Sequence, residues 1–146
     1  MKRGILHIKT NVNSSFKDVK SAFVDRDGEL LKYLCPNGTK VVHHKGIRRG
    51  AVTKIDFFGD IVKFKVVGYK TSKSDLFFND ILVDGNFLGI KFWSHRHKLK
   101  SVSDEKTMIE DEVTFTTKNA VMDWLLHFCL FVSFVTRKLK YKKFFK

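Results

Sequence analysis

From residue 40 onward, apolar and polar positions alternate with a period of two in six runs that read as β-strands: 40–45, 51–58, 61–70, 76–83, 90–102 and 107–117. The joints between them are short: Gly46, Gly50, Gly59-Asp60, residues 72–75, Asp84-Gly85-Asn86 and Ser103-Asp104-Glu105. Consecutive strands joined so tightly are expected to pair as an antiparallel meander. Ahead of the meander, residues 4–12 read as a first strand. Asn13-Ser14-Ser15 then offers N-caps to a helix carrying Phe16, Val19, Lys20 and Phe23, which Asp25-Arg26-Asp27-Gly28 breaks. A second short helix with Leu30, Leu31 and Leu34 ends at Pro36-Asn37-Gly38. After the meander, Asn119 caps a long helix with Val121, Trp124, Leu125, Phe128, Val132, Val135 and Leu139 at spacings of threes and fours. Its middle is apolar nearly all round, which predicts cover on more than one side. No linker or repeat divides the chain, so residues 1–146 are expected to form a single α+β domain. A long helix laid across a strongly curved antiparallel sheet leaves concave apolar space between them, where small ligands bind.

The same period sorts side chains onto faces. Trp93, His95, His97 and Leu99 share one face; Thr107, Ile109, Asp111, Val113 and Phe115 share another. Two histidines and an aspartate therefore lie on apolar faces, where ionisable groups must be paired or used. The candidate interior polar groups are Asp80, His95, His97 and Asp111, with Trp93 beside them. Pairing would hold neighbouring strands in register, and the same groups could fix the polar end of an apolar ligand. A catalytic reading makes His95 or His97 a general base oriented by Asp111. His-x-His on a strand points both rings the same way, so Asp111 could complete a three-ligand metal site. Nothing else clusters with them, and no metal or cofactor is expected. His43 and His44 point to opposite faces of a strand and cannot chelate as a pair, while His7 and His127 stand alone.

Composition changes this picture in two places. Fifteen phenylalanines in a chain that is 43% hydrophobic suggest a thick or hollow interior. The net charge of +13 would attract nucleic acid or an anionic membrane surface. Most lysines alternate outward along strands, and only residues 137–146 form a true basic cluster. Phe144 and Phe145 among those lysines resemble an interfacial anchor; the plainer reading is a solvated helix end with cations at its C-terminus. Cys35 and Cys129 lack metal-ligand spacing and read as reduced core thiols. After Lys2-Arg3-Gly4, the apolar pair Ile5-Leu6 is cut short by His7, so no secretion signal is read. Residues 124–135 are apolar but too short to span a bilayer, and a soluble, cytoplasmic protein is expected.

Local marks in this order also carry a resemblance. Leu31-Lys32-Tyr33-Leu34-Cys35-Pro36 closes the second helix, and Gly46-Ile47-Arg48-Arg49-Gly50 joins two strands. Phe78-Asn79-Asp80, Gly85 with Phe87, the Trp93/His95/His97 run, Thr107/Asp111/Val113/Phe115 and Phe134-Val135-Thr136-Arg137 follow. On these marks the chain resembles the START/Bet v 1-like (SRPBCC) superfamily, near its bacterial ligand-binding and polyketide cyclase/dehydrase-like members. It departs at Leu82, where the family often carries Gln, at Asn86, where Pro is common, and in extra residues between Phe87 and Trp93. The lost glutamine would make a cavity more apolar.

The resemblance implies a helix-grip fold: a curved antiparallel sheet of about seven strands around a long C-terminal helix, with two short helices after the first strand. It implies binding of a small hydrophobic or lipid-like ligand in an internal cavity, rather than catalysis. The expected ligand-binding residues are Phe78, Asp80, Trp93, His95, His97, Asp111 and Phe115 on the sheet, and Trp124, Leu125 and Phe128 on the helix. Two other readings are a polyketide cyclase/dehydrase-like enzyme with a cavity histidine as base, and a basic membrane-surface or nucleic-acid module. A weak contact between the basic C-terminus and an anionic membrane is an expected secondary partner; specific nucleic-acid binding is not expected.

Overall fold

The computed structural model describes residues 4–146. Lys2 and Arg3, where the reading for a secretion signal began, lie outside the described residues. Among the described residues the order is β1 (Gly4–Val12), α1 (Phe16–Val24), α2 (Glu29–Leu34), β2 (Thr39–His43), β3 (Val52–Phe57) and β4 (Asp60–Thr71). It continues through β5 (Asp75–Asp84), β6 (Phe92–Ser103), β7 (Lys106–Thr116) and α3 (Ala120–Phe144). Each element expected from periodicity is present, with boundaries moved by a residue or two.

Local chemistry explains the starts. Ser15 caps α1 by accepting from the Asp18 amide, and Asn119 caps α3 by accepting from the Met122 amide. The Thr117 amide donates to Asp123 at 2.6 Å, which ties the first turn of α3 to the end of β7.

The strands form one antiparallel sheet in the order β1-β7-β6-β5-β4-β3-β2. Strands β2 to β7 pair in sequence, as hairpin-length joints dictate. The exception is β1, which pairs with β7, because α1 and α2 carry the chain from one sheet edge to the other. Register shifts at Val41/His43, Lys63/Phe64, Val66/Gly68 and Ser101/Ser103 add local bends to the natural twist.

Two apolar clusters fill the concave side. One joins α1 and α2 to the sheet and to the end of α3, through Phe16, Val19, Phe23, Leu30, Leu34, Phe78, Leu99 and Tyr141. The other lies under the first half of α3 and includes Leu6, Trp93, Val113, Phe115, Leu126, Leu130 and Phe134. The side chains of α3 buried in these clusters are Leu126, Leu130, Phe134 and Tyr141, a stripe along one side of the helix at spacings of four and seven.

The expectation that α3 is covered on more than one side is not met. Its other apolar residues, among them Trp124, Phe128, Phe131 and Val132, are exposed. A helix that is apolar all round carries no moment to reveal which face is covered, so the sequence could not choose. The thiols are also corrected: Cys129 is exposed on this helix, and only Cys35 is partly buried. Both are free, and burial pushes the Cys35 thiol up.

Gly85, after β5, has φ +100°, and a Cβ there would meet the Ile61 carbonyl oxygen at 2.5 Å. Backbone, not a flexible side chain, blocks that space. Gly85→Ala is therefore expected to lower unfolding free energy by about 1–3 kcal/mol in urea titrations; no loss would contradict this packing.

Candidate functional site

Between the sheet, α2 and α3 lies a chamber of about 210 Å³. Leu30 and Leu34 from α2, Ile47, Ile55 and Phe57 from the β2–β3 side, and Leu130 and Phe134 from α3 give it apolar walls. One end is polar: Asp80, His95 and His97 from the sheet, with Arg137 from α3.

Strand register builds this end. In β5 and β6, Asp80 stands opposite His95 and Phe78 opposite His97. In β6 and β7, His97 stands opposite Asp111. The hydrogen bonds run on the diagonals: His95 Nε2 to Asp111 Oδ1 at 2.8 Å, and His97 Nε2 to Asp80 Oδ2 at 3.1 Å. His97 Nδ1 is also 3.2 Å from Asp111 Oδ1, but at an angle outside hydrogen-bond geometry, so that attraction is ionic. The two imidazoles lie 3.7 Å apart between centroids, and Phe78 stacks on His97 at 4.1 Å. Phe134 meets His95 edge-on at 5.3 Å. Arg137 Nε donates to Tyr141 Oη at 3.0 Å, and its guanidinium lies over the rings of Phe134 and Tyr141.

These contacts divide the charge. Burial would push the Asp111 carboxyl up, but the charge of Arg137, the hydrogen bond from His95 and the attraction of His97 hold it well below the usual range. Burial and the adjacent His97 push His95 down to about 4, against the pull of Asp111. Burial also opposes charge on His97, yet Asp111 and Asp80 together raise its pKa above 6.5. Burial of the Arg137 head group is likewise outweighed, by Tyr141 and Asp111, and burial pushes the Tyr141 phenol up. At neutral pH His95 is a neutral imidazole. Since Asp111 accepts from its Nε2–H, the ring's lone pair is on Nδ1. The two carboxylates favour the protonated form of His97.

The placement of the expected residues is mixed. Phe78, Asp80, Trp93, His95 and His97 line the chamber. Asp111 is bonded to the histidines but lies outside the lining, and Phe115 is fully buried in the cluster under α3. Trp124, Leu125 and Phe128 do not face the chamber: Trp124 is 70% and Phe128 61% exposed, and Leu125 is exposed beside them. The α3 residues at the chamber are Leu130, Ser133, Phe134 and Arg137. Leu82 packs against the cluster under α3 instead of lining the chamber. Arg137 went unread as a site residue because it opens a run of lysines. The signal was there, since it continues the spacing of Leu126, Leu130 and Phe134 on the buried side of the helix. His44, also at the chamber wall, has Nδ1 2.9 Å from the Thr53 hydroxyl, and burial lowers its pKa.

Ligand atoms of Asp80, His95 and His97 all lie within 4.8 Å of one another, so these three residues could hold a metal ion. The same space is served by a proton. His97 already bridges the two carboxylates, and Arg137 balances Asp111, which weakens the field for a divalent cation.

Removing the central charge tests this arrangement. Asp111→Asn leaves His97 and Arg137 without their shared anion and is expected to cost about 3 kcal/mol in urea unfolding. A variant as stable as the parent would show that the carboxylate is not what holds the cluster.

No family model matches the chain, and no curated protein sequence matches it. Solved structures do match. Norcoclaurine synthase from Thalictrum flavum, in complex with dopamine and hydroxybenzaldehyde, aligns over 99% of this chain and 89% of its own, at 12% identity and TM-score 0.67. A START superfamily protein from Mycobacterium smegmatis aligns over 97% and 99%, at 11% identity and TM-score 0.67. Ara h 8.0201 aligns over 98% and 97%, at 18% identity and TM-score 0.67. Identities this low speak for the fold, and with the sheet order and the long terminal helix they give this chain the helix-grip fold of the Bet v 1-like and START (SRPBCC) proteins.

Proposed function

We propose that this protein binds a compact hydrophobic molecule carrying one hydrogen-bond donor, in the chamber between the sheet, α2 and α3. The observation that carries this reading is an apolar chamber closed at one end by Asp80, His95 and His97. Burial of apolar surface drives such binding, while a few fixed polar groups choose the orientation. His95 supplies the choice. Its Nε2–H is committed to Asp111, so its Nδ1 accepts a hydrogen bond from a ligand hydroxyl or amine. A ligand without a donor would leave that acceptor dry and unpaired.

Size narrows the class. A chamber of about 210 Å³ is below the roughly 300–1,000 Å³ of sites for drug-sized ligands. It suits a single substituted ring better than a long acyl chain. Norcoclaurine synthase, which shares the fold, was solved with dopamine and hydroxybenzaldehyde, and that supports a small aromatic class. The polyketide cyclase/dehydrase-like reading is the weaker one. A general base works best with a pKa near the operating pH, whereas His95 is pushed down to about 4.

Titration calorimetry with p-cresol and p-xylene tests the proposal. Saturable binding of both is expected, with p-cresol roughly tenfold tighter for the one added hydrogen bond. Leu130→Trp, which fills the chamber, should remove both. Absence of saturable binding to the parent protein, or binding untouched by the filled chamber, would refute the reading.

A further inference from the structure

We propose that the outward face of α3 docks in the plane of an anionic lipid bilayer. Opposite the stripe buried against the sheet, Trp124, Phe128, Phe131, Val132, Val135 and Leu139 recur at helical spacing, and all are exposed. No Asp, Glu, Lys or Arg occurs between Asp123 and Arg137, so the exposed face is uncharged and largely apolar for more than three turns. Contiguous apolar surface on that scale marks an interaction site.

Three observations decide what covers it. The helix is 25 residues long, with a mean hydropathy of 1.4 over its most apolar window, enough by length and composition to cross a membrane. The uncharged run inside it, between Asp123 and Arg137, is shorter than a span. Crossing, however, would withdraw Leu126, Leu130, Phe134 and Tyr141 from the two apolar clusters. Lying flat keeps that face on the sheet and gives lipid the other, in the manner of interfacial helices. Secondly, Lys138, Lys142, Lys143 and Lys146 follow the apolar stripe at one end. Each lysine near an anionic leaflet strengthens binding roughly fivefold. Thirdly, a second copy would bring together two chains of +13, with their lysine-rich helix ends held near one another. Nucleic acid would match the lysines but leave the apolar stripe in water.

The test uses the full chain and phosphatidylcholine vesicles with and without phosphatidylserine, read by co-sedimentation and by tryptophan emission. Trp93 is buried and Trp124 is exposed, so a blue shift that disappears in Trp124→Phe reports the α3 face without perturbing the fold. Binding should need phosphatidylserine and weaken with salt. It should fall more than roughly tenfold in Phe128→Glu/Val132→Glu, and also in Lys142→Gln/Lys143→Gln. The proposal is overturned by failure to bind anionic vesicles, by binding that neither pair of substitutions weakens, or by a stable dimer in light scattering that Phe128→Glu dissociates. In the last case a second copy, not lipid, covers the helix.

Discussion

A carboxylate taken out of water onto the apolar face of a sheet loses its hydration, and at Asp111 that loss is made good from three sides. Asp111 is 2% exposed, and it receives the Nε2–H of His95, the charge of His97 and the field of Arg137. Each partner is fixed in turn. His95 must keep its proton on Nε2 and stay neutral. His97 is biased towards its charged form, and its other nitrogen is committed to Asp80. Arg137 must reach in from α3, which orients the last turns of that helix over the sheet. The polar end of the chamber follows from keeping one buried anion satisfied.

The same requirement couples proton binding to folding. Unfolded histidines titrate near 6.5. His95, held down to about 4 when folded, costs stability as pH falls from 6.5 towards 4, because the unfolded chain then binds the extra proton. His97 runs the other way: its raised pKa contributes stability that is present below 6.5 and lost as pH rises through its folded value. The two effects fall on opposite sides of 6.5, so stability contributed by this pair rises with pH from about 4, peaks near 6.5 and falls above it as His97 loses its proton.

Much of this was legible in the sequence, for a definable reason. Strand periodicity is two, so Trp93, His95 and His97 had to share a face, and Asp111 had to share one with Val113 and Phe115. Once β6 and β7 pair, those faces become one. Which histidine meets which aspartate was not legible, because it depends on register and on the diagonal reach of each ring. On α3 the reading failed differently. Leu126, Leu130, Phe134 and Tyr141 face the sheet, yet Trp124, Leu125 and Phe128 are equally apolar, and larger rings drew the expectation to the wrong side. The helix is thus two-faced: one face closes an apolar chamber and the other is apolar with nothing of this chain upon it among the described residues. Arg137 was hidden by its neighbours, a site residue at the head of a run of lysines.

Nuclear magnetic resonance titration of the imidazole nitrogens and Cε1 protons tests the central claim most directly. The account predicts that His95 is neutral at pH 7 with its proton on Nε2, and titrates at about 4. It predicts that His97 is more than half protonated at pH 6.5, where a free histidine is half-titrated, with its midpoint above that pH. Two ordinary titrations near 6.5, or a charged His95 beside a neutral His97, would contradict the account of Asp111 as the anion around which the chamber is built.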